Sequence, residues 1–489
     1  MVGIHESESC IRCIDRSHGS GVALTFFPSI ESRKEVGVGG DAVGLGERVA
    51  AADIAREPEP SRRAIDQGIR ASLLCTLLGV EREQWAWPFP SLASSPEGAS
   101  GAVKMLATLL EPLGGIGHLA TAAGASDLDP MDPGPSHTVL PATLAACVVD
   151  AACGDRGAGR GGAGDSGGAG DSGDGSGDDA IATAVLAGVE TGWRFRRALT
   201  AARPGVGFHS PGVFGTLAAA ASAARLLRLD AQACTAALAI ALTRASGLAI
   251  NSAASMIGMT HFGWGAAHGL EAALLASQGW DASRDFERGL FTLFGEGRVD
   301  MDRLADPESN AAASLVFKRY PCNIYLNLLV AMFEDVRGGP PDRIEITMPW
   351  VPHLDCPRPL DLRQARNSAQ AVAAIAGAGD ISYAAFSGPP GPWHPAPEVV
   401  RLLPLVEVRM DKASPTKLSE AVLALRVWRG GRIAHESEGS VASLRGWGVE
   451  HACRLLGAGP DSPAARALYA GSYRTGFAYV DARRRSPHR

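Results

Sequence analysis

The stretch that decides the fold is "GVGFHSPGVFGTLAAAASAARLLRLD", residues Gly205–Asp230. Its second half consists largely of alanine, serine, leucine and arginine, which predicts a helix that packs closely against its neighbours. Its first half contains His209 and the pair Pro211-Gly212, which predict a turn at the N-terminus of that helix. Because turns at helix N-termini often contact ligands, we expect His209 to belong to a functional site.

The helical pattern extends on both sides of this stretch. Apolar residues recur at helical spacing over most of residues 46–279, which predicts an all-helical bundle domain, with an irregular leader over residues 1–45 before it. One segment, Gly154–Asp179, interrupts the pattern. It is rich in glycine and aspartate and cannot bury a core, so we expect a disordered loop there.

After Gly279 the pattern changes to strands mixed with helices. The segments "RIEITMPW" and "LVEVRMD" predict strands, and "VLALRVWRGGRIAHE" predicts a hairpin that turns at Gly430-Gly431. Helical runs lie between the strands, near residues 323–336 and 367–377.

These patterns predict a mainly α fold class, with a large all-helical bundle domain and a smaller α+β domain. The α+β domain is expected over residues 280–440, and a C-terminal segment over residues 441–489 is expected to return to the helical domain. A chain of 489 residues is long enough for two domains.

Composition excludes several classes of function. Apolar residues make up 46% and charged residues 20%, the net charge is −6, and no basic stripe is present, so neither nucleic acid nor a membrane is an expected partner. No run of 18 apolar residues and no signal peptide is found, which predicts no membrane span. The nine scattered cysteines indicate reduced thiols and a cytoplasmic location.

Motifs for cofactors and metals are also missing from the sequence. We find no phosphate-binding loop, no dinucleotide fingerprint and no HExxH motif. Cys10 and Cys13 form a CxxC without a second pair, which favours an irregular leader over a metal or redox site. No metal site is therefore predicted.

Polar residues cluster at four places within apolar sequence. Histidines and a carboxylate can move protons near neutral pH, and we expect His209 to do so at its ordinary pKa. A Lys-Arg-Tyr stretch can hold a carboxylate ligand. Each residue also has a purely structural interpretation, as a helix cap or a hydrogen-bonded turn residue. The clusters are Asp127-Leu128-Asp129, His209-Ser210, His261 within "SMIGMTHFGWGAAHG", and Lys318-Arg319-Tyr320-Pro321-Cys322.

In this order, the motifs resemble the MmgE/PrpD family, from roughly Leu45 to Trp447. The segment "GFHSPGVFGTLAAAASAARLLRLDAQ" resembles the family's Gly-aromatic-His segment and the helix after it, and "HFGWGAAHGLEAALLASQGW" resembles its His-x-Gly segment. "KRYPCNIY" resembles its Lys-x-Tyr-Pro-Cys segment, and "SDLDPMDPGPSHTVLPATLA" is a looser match to its Asp-rich loop.

The resemblance implies a cofactor-free lyase that eliminates water or carbon dioxide from a small carboxylic acid. It also implies a helical domain, an α+β lid, a site between them and a homodimer. The implied catalytic residues are His209, Asp127 and Tyr320. The candidate substrate-binding residues are Lys318, His261, Ser210 and Arg319.

Three positions depart from the family pattern. The family lysine, threonine and histidine are replaced here by Gly258, Met131 and Gly134, although His137 follows closely. The loss of positive charge makes a less charged acid, alkylated ones included, the expected substrate, with Phe262 beside His261. The expected role is a step in specialised metabolism. The alternative is a catalytically inactive relative that serves as a binding or scaffold subunit.

Overall fold

A computed structural model of the chain describes residues 40–82, 115–132, 136–158, 175–199, 207–295, 297–306, 310–388, 391–444 and 448–485. The described residues belong to a single compact unit. The CxxC of Cys10 and Cys13 and position Gly134 lie outside these ranges.

Helices make up the first part of the structure, as predicted. In chain order they are α1 (Gly40–Ala51), α2 (Glu59–Arg82), α3 (Ile116–Ser126), α4 (Val139–Ala158), α5 (Gly175–Arg197), α6 (Ser210–Leu226), α7 (Ala231–Arg244), α8 (Ile250–Ala254), α9 (Ile257–Ser277), α10 (Phe286–Phe294) and α11 (Met301–Ala305).

The second part combines helices with one small sheet. Its helices are α12 (Ile324–Phe333), α13 (Leu362–Arg366), α14 (Ala369–Gly377), α15 (Tyr383–Phe386), α16 (Pro397–Leu402), α17 (Val449–Leu456) and α18 (Tyr473–Arg485). Between α17 and α18 a short turn, Pro463–Ala465, continues as a π-helical turn over Arg466–Ala470. The fold class is therefore mainly α with a smaller α+β part, as the sequence predicts.

The sheet has the order β2-β1-β3-β4. Strand β1 pairs in parallel with β2 and antiparallel with β3, and β3 and β4 form the predicted hairpin. Gly430 and Gly431 have φ values of 56° and 73°, which allow the tight turn that matches the twist of the strands. The strands are β1 (Arg343–Pro349), β2 (Val406–Asp411), β3 (Val422–Arg429) and β4 (Arg432–Ser440).

Small residues bring α6 and α9 into close contact. All residues of α6 from 211 to 224 are buried. A Cβ on Gly265 would overlap the carbonyl oxygen of Pro211, and one on Gly269 would overlap that of Thr216. The small-residue stretch is therefore a closely packed helix, as its sequence predicts.

The described residues form two large hydrophobic cores, besides the small pair of Ala125 and Met259. The larger core contains the helices of the first part together with Leu455, Phe477 and Val480 of the C-terminal helices. The smaller core contains α12, α14 and the inner face of the sheet. The division into domains at residues 279 and 440 stays a prediction.

Two predicted irregular segments are partly helical. Helix α1 begins at Gly40, so the predicted leader over residues 1–45 ends too late. The predicted loop Gly154–Asp179 is wrong at both ends, because α4 extends to Ala158 and α5 begins at Gly175. Residues 159–174 lie outside the described ranges.

The C-terminal helix explains this difference. Arg474 of α18 holds Asp150 of α4 through two hydrogen bonds of 2.6 and 2.7 Å. The backbone N–H of Tyr473 donates to Asp178 of α5 at 2.9 Å. These contacts are distant in sequence, so a local composition rule misses them. Within the described ranges, no helix combines the length and apolar character needed to cross a bilayer.

We predict that Gly269→Ala destabilises the fold because its methyl group would overlap the backbone of α6. Overpacking of this kind costs roughly 1–3 kcal/mol in free energy of unfolding. Urea denaturation measures the change. Gly459→Ala is the matched control, because a Cβ there would meet no atom within 4 Å. Equal unfolding midpoints for the two variants would contradict the close packing of α6 and α9.

Candidate active site

A cavity of about 460 Å³ lies where residues of the larger and the smaller core meet. The first part of the chain contributes the end of α3, the following loop, the start of α6 and the start of α9. The second part contributes the segment before α12, its first turn, and α13. The polar and charged lining residues are Asp127, Asp129, His137, His209, Ser210, Ser252, Lys318, Asn323, Tyr325, His353, Arg363, Arg366 and Asn367.

Lys318 lies between two carboxylates at one side of this cavity. Its ammonium donates to Asp127 at 2.5 Å and to Asp129 at 3.2 Å, and only 4% of Lys318 is exposed. Burial disfavours the charged ammonium, but the two carboxylates outweigh it and hold the pKa of Lys318 above its usual range. Lys318 was predicted to bind substrate, and the structure shows that its charge is offset by two aspartates.

Asp127 ends α3 in a left-handed conformation, with φ 55°. Aspartate tolerates this region better than most residues, and the turn directs the following loop across the cavity. Met131 in this loop pairs with Val316 through two backbone hydrogen bonds of 2.9 Å. This bridge brings the loop beside Lys318.

His137 lines the cavity, although no role is predicted for it from the sequence. Its Nδ1 contacts Asp129 Oδ2, and its backbone N–H donates to Ser210 Oγ at 3.3 Å. Although burial opposes ionisation, Lys318 and His137 hold the pKa of Asp129 well below its usual range. The position in sequence, close to the missing family histidine, was the signal that could have identified His137.

His209 precedes α6, as the turn predicts. Its backbone N–H donates to Gly247 O at 2.8 Å, and its ring Nδ1 lies 2.9 Å from Nδ1 of His261. His261 is buried and is not among the lining residues of the cavity, so it contacts His209 from behind. Among the described residues, none is found to hydrogen bond to Nε2 of His209, which is left for a ligand.

The expectation that His209 titrates near its ordinary pKa is wrong. Burial, followed by repulsion from any proton on His137 or His261 and from the charge of Arg363, lowers the pKa of His209 to about 2. Burial and Arg363 also lower the pKa of His261. Both rings are therefore neutral at physiological pH in the absence of ligand.

Two arginines from α13 complete the cavity. Arg366 is buried and donates to Phe386 O and, at 2.8 Å, to Ala125 O. Arg363 donates to Ser252 O. They lie three residues apart on a short helix far along the chain, and no motif marks them in the sequence.

Tyr320 and Arg319 were predicted site residues, but neither is among the lining residues. Tyr320 is 1% exposed and lies edge-on to His451, with ring centroids 5.7 Å apart. Arg319 pairs with Glu334 at 3.6 Å. Burial and Glu334 raise the pKa of the Tyr320 phenol far above its usual range. The structure thus brings together Asp127, His209, Ser210 and Lys318, with His261 behind them.

Comparison with known proteins agrees with this architecture. Residues 45–296 match the MmgE/PrpD N-terminal domain, and the chain therefore belongs to the MmgE/PrpD family. It is similar to the human cis-aconitate decarboxylase, with 32% identity over 186 residues, which cover 34% of this chain and 38% of the relative.

The mouse cis-aconitate decarboxylase is similarly related, with 30% identity over 185 residues, 34% of this chain and 37% of the relative. The matched region thus spans less than two fifths of each relative. In the part of the chain that the structure describes, no group of three or more His, Cys, Asp or Glu residues is arranged to hold a metal ion.

We predict that Lys318→Met strongly destabilises the protein, because it leaves two carboxylates unpaired beside the cavity. Breaking a buried ion pair typically costs about 3–5 kcal/mol, to be measured by urea denaturation. Lys417→Met is the matched control, since Lys417 and Glu420 form an exposed pair at 2.7 Å. Unchanged stability of Lys318→Met would contradict the ion cluster, and adding Asp127→Asn to that variant should recover part of the loss.

We also predict that stability falls as the pH decreases below about 6.5, the ordinary histidine pKa. Burial lowers the pKa of His451 to about 4, so between these values the unfolded chain binds a proton that the folded chain does not. One such histidine lowers the free energy of unfolding of the protein by about 2 kcal/mol between pH 7 and pH 5. His451→Gln should reduce the pH dependence of the urea midpoint, whereas the exposed His394→Gln should not. Equal slopes in both variants would contradict this account.

Proposed function

We propose that the chain is a cofactor-free lyase acting on a small carboxylic acid, through elimination of water or carbon dioxide or isomerisation beside a carboxylate. The observation that carries the proposal is the position of His209, neutral and with Nε2 available, in a cavity that also contains Lys318 and two arginines. A volume of about 460 Å³ is in the range of small-molecule sites.

The charges of the cavity favour a substrate of low charge. Three cationic lining residues, Lys318, Arg363 and Arg366, face two anionic ones, Asp127 and Asp129. One net positive charge remains before the histidines are counted. A tricarboxylate would need more positive charge than this, so an acid with one or two carboxylates fits better.

His209 is suited to act as the base. In the tautomer in which its Nδ1 donates to His261, Nε2 holds a lone pair that can take a proton from the carbon beside a carboxylate. The imidazolium that forms would be stabilised by the bound carboxylate, because a nearby negative charge raises the pKa of a histidine.

The proton needed by the leaving oxygen, or by the carbanion after loss of carbon dioxide, is expected from a second group in the cavity. The Lys318 ammonium and His137 are connected through Asp129, and the His137 ring centroid lies 5.9 Å from that of His209. In this assignment Asp127 holds Lys318 in place. Tyr320 has no direct role in it. The homodimer implied by the family resemblance and the cytoplasmic location stay predictions.

We predict that His209→Gln lowers kcat by roughly 10²–10⁴, the usual contribution of a general acid–base group. Purified protein is first screened against alkylcitrates, aconitates and shorter unsaturated acids, with product detection by NMR. Glutamine can still hydrogen bond to His261, so the melting temperature should change little. His394→Gln, on an exposed residue, is the control.

Wild-type turnover by His209→Gln would contradict the assignment of the base. Binding of acids by the wild-type chain without turnover of any of them would instead support the alternative, a catalytically inactive binding subunit.

A further inference from the structure

Gly258, the second residue of α9, lies in the wall of the cavity with no room for a side chain. A Cβ at this position would overlap the carbonyl oxygen of Asn251 and would lie 2.9 Å from that of Ser252. It would also lie 3.0 Å from Nη2 of Arg363. The Arg363 guanidinium thus fills the space into which a side chain at position 258 would extend.

Arg363 reaches this place from the other part of the structure. It lies on α13, and its guanidinium donates to the carbonyl oxygen of Ser252, the middle residue of α8. Its charge acts on both His209 and His261, and it lies within electrostatic reach of Asp127. Arg363 therefore brings a positive charge from the second part of the structure close to the paired histidines.

We propose that Arg363 is a specificity-determining residue that binds a carboxylate of the substrate, next to His209. This inference rests on the proposed function, because it assigns a substrate contact in the same cavity. A guanidinium has five N–H donors in a planar fork, so it can hold the Ser252 carbonyl and a carboxylate at the same time. The exclusion of a side chain at Gly258 keeps this position open for Arg363.

The surrounding residues define the substrate class further. The large apolar lining residues are Met131, Phe208, Met259, Phe262 and Ile324. Met259 directly follows Gly258, and Phe262 lies edge-on to both His137 and His209, with ring centroids 5.1 and 6.1 Å apart. A carboxylate on Arg363 would place the adjoining carbon chain against these side chains. The fitting class is a short alkyl-substituted acid with one or two carboxylates.

The experiment compares wild-type protein with Arg363→Gln, Arg363→Lys and the control Arg358→Gln, an exposed arginine that is not among the lining residues. Calorimetry measures the binding of four probes: butyrate, methylsuccinate, cis-aconitate and citrate. We expect methylsuccinate to bind the wild type more tightly than citrate does. Arg363→Gln should weaken its binding roughly 10–100-fold, the effect of losing a charged hydrogen bond.

The conservative variant and a second measurement make the test independent of activity. Arg363→Lys keeps the charge but loses the fork, so its binding should fall between those of the wild type and Arg363→Gln, and it keeps the test valid if Arg363→Gln fails to fold. NMR titration of the histidine rings without ligand should show higher pKa values for His209 and His261 in Arg363→Gln. The Arg358→Gln control should match the wild type in both measurements.

The outcomes separate this inference from the proposed function. Unchanged methylsuccinate binding in Arg363→Gln, or in Arg363→Lys if only that variant folds, overturns the role of Arg363 and leaves His209 as the base. Tighter binding of citrate than of methylsuccinate overturns the assigned substrate class alone. If the wild type binds none of the four probes, the carboxylate site itself is overturned, and the proposed function with it.

Discussion

The buried ion cluster of Lys318, Asp127 and Asp129 is the interaction on which the site depends. It joins the end of α3 to the segment before α12, two parts of the chain that are almost 200 residues apart, as its 191-residue separation shows. The Lys318 ammonium and the Asp129 carboxylate are buried, whereas Asp127 is half-buried, and buried charges are stable only when they are paired. The cluster therefore fixes the loop after α3, and through Asp129 it also holds His137 in the cavity.

Close packing of small residues places the two histidines of the site, His209 and His261, next to each other. Because glycines of α9 contact the backbone of α6 directly, the start of α6 lies against the start of α9, and His209 lies beside His261. The same packing removes water from both rings and keeps them neutral. A neutral histidine with an available nitrogen is a base that needs a bound anion to become protonated. Proton transfer in this cavity would thus be coupled to substrate binding.

The distribution of charge links the two halves. The ammonium of Lys318 is offset by carboxylates, so the positive charge that a substrate meets comes chiefly from α13. Gly258 carries no charge where the family pattern has a lysine. An acid can still bind there, because the Arg363 guanidinium lies next to Gly258. The two positions, 258 on α9 and 363 on α13, are far apart in sequence. Their proximity therefore cannot be predicted from the sequence alone.

Several elements can be predicted from strong local signals in the sequence. The alanine-rich α6, the strands and the hairpin turn at Gly430-Gly431 follow from periodicity and turn chemistry, which depend on near neighbours. The position of His209 at a helix entrance could be predicted for the same reason. Asp127, Ser210 and Lys318 stand out in the sequence because they lie in ordered motifs, and all three line the cavity, while their roles stay predictions.

What these residues contact depends on the packing of segments that are distant in sequence. Tyr320 lies two residues after Lys318 in sequence, yet it is packed in the smaller core, whereas Lys318 lines the cavity. Arg363 enters the cavity through contacts distant in sequence, and the low pKa of His209 results from burial by many segments at once. Burial, charge pairing and long-range packing depend on the whole fold, so no local pattern encodes them.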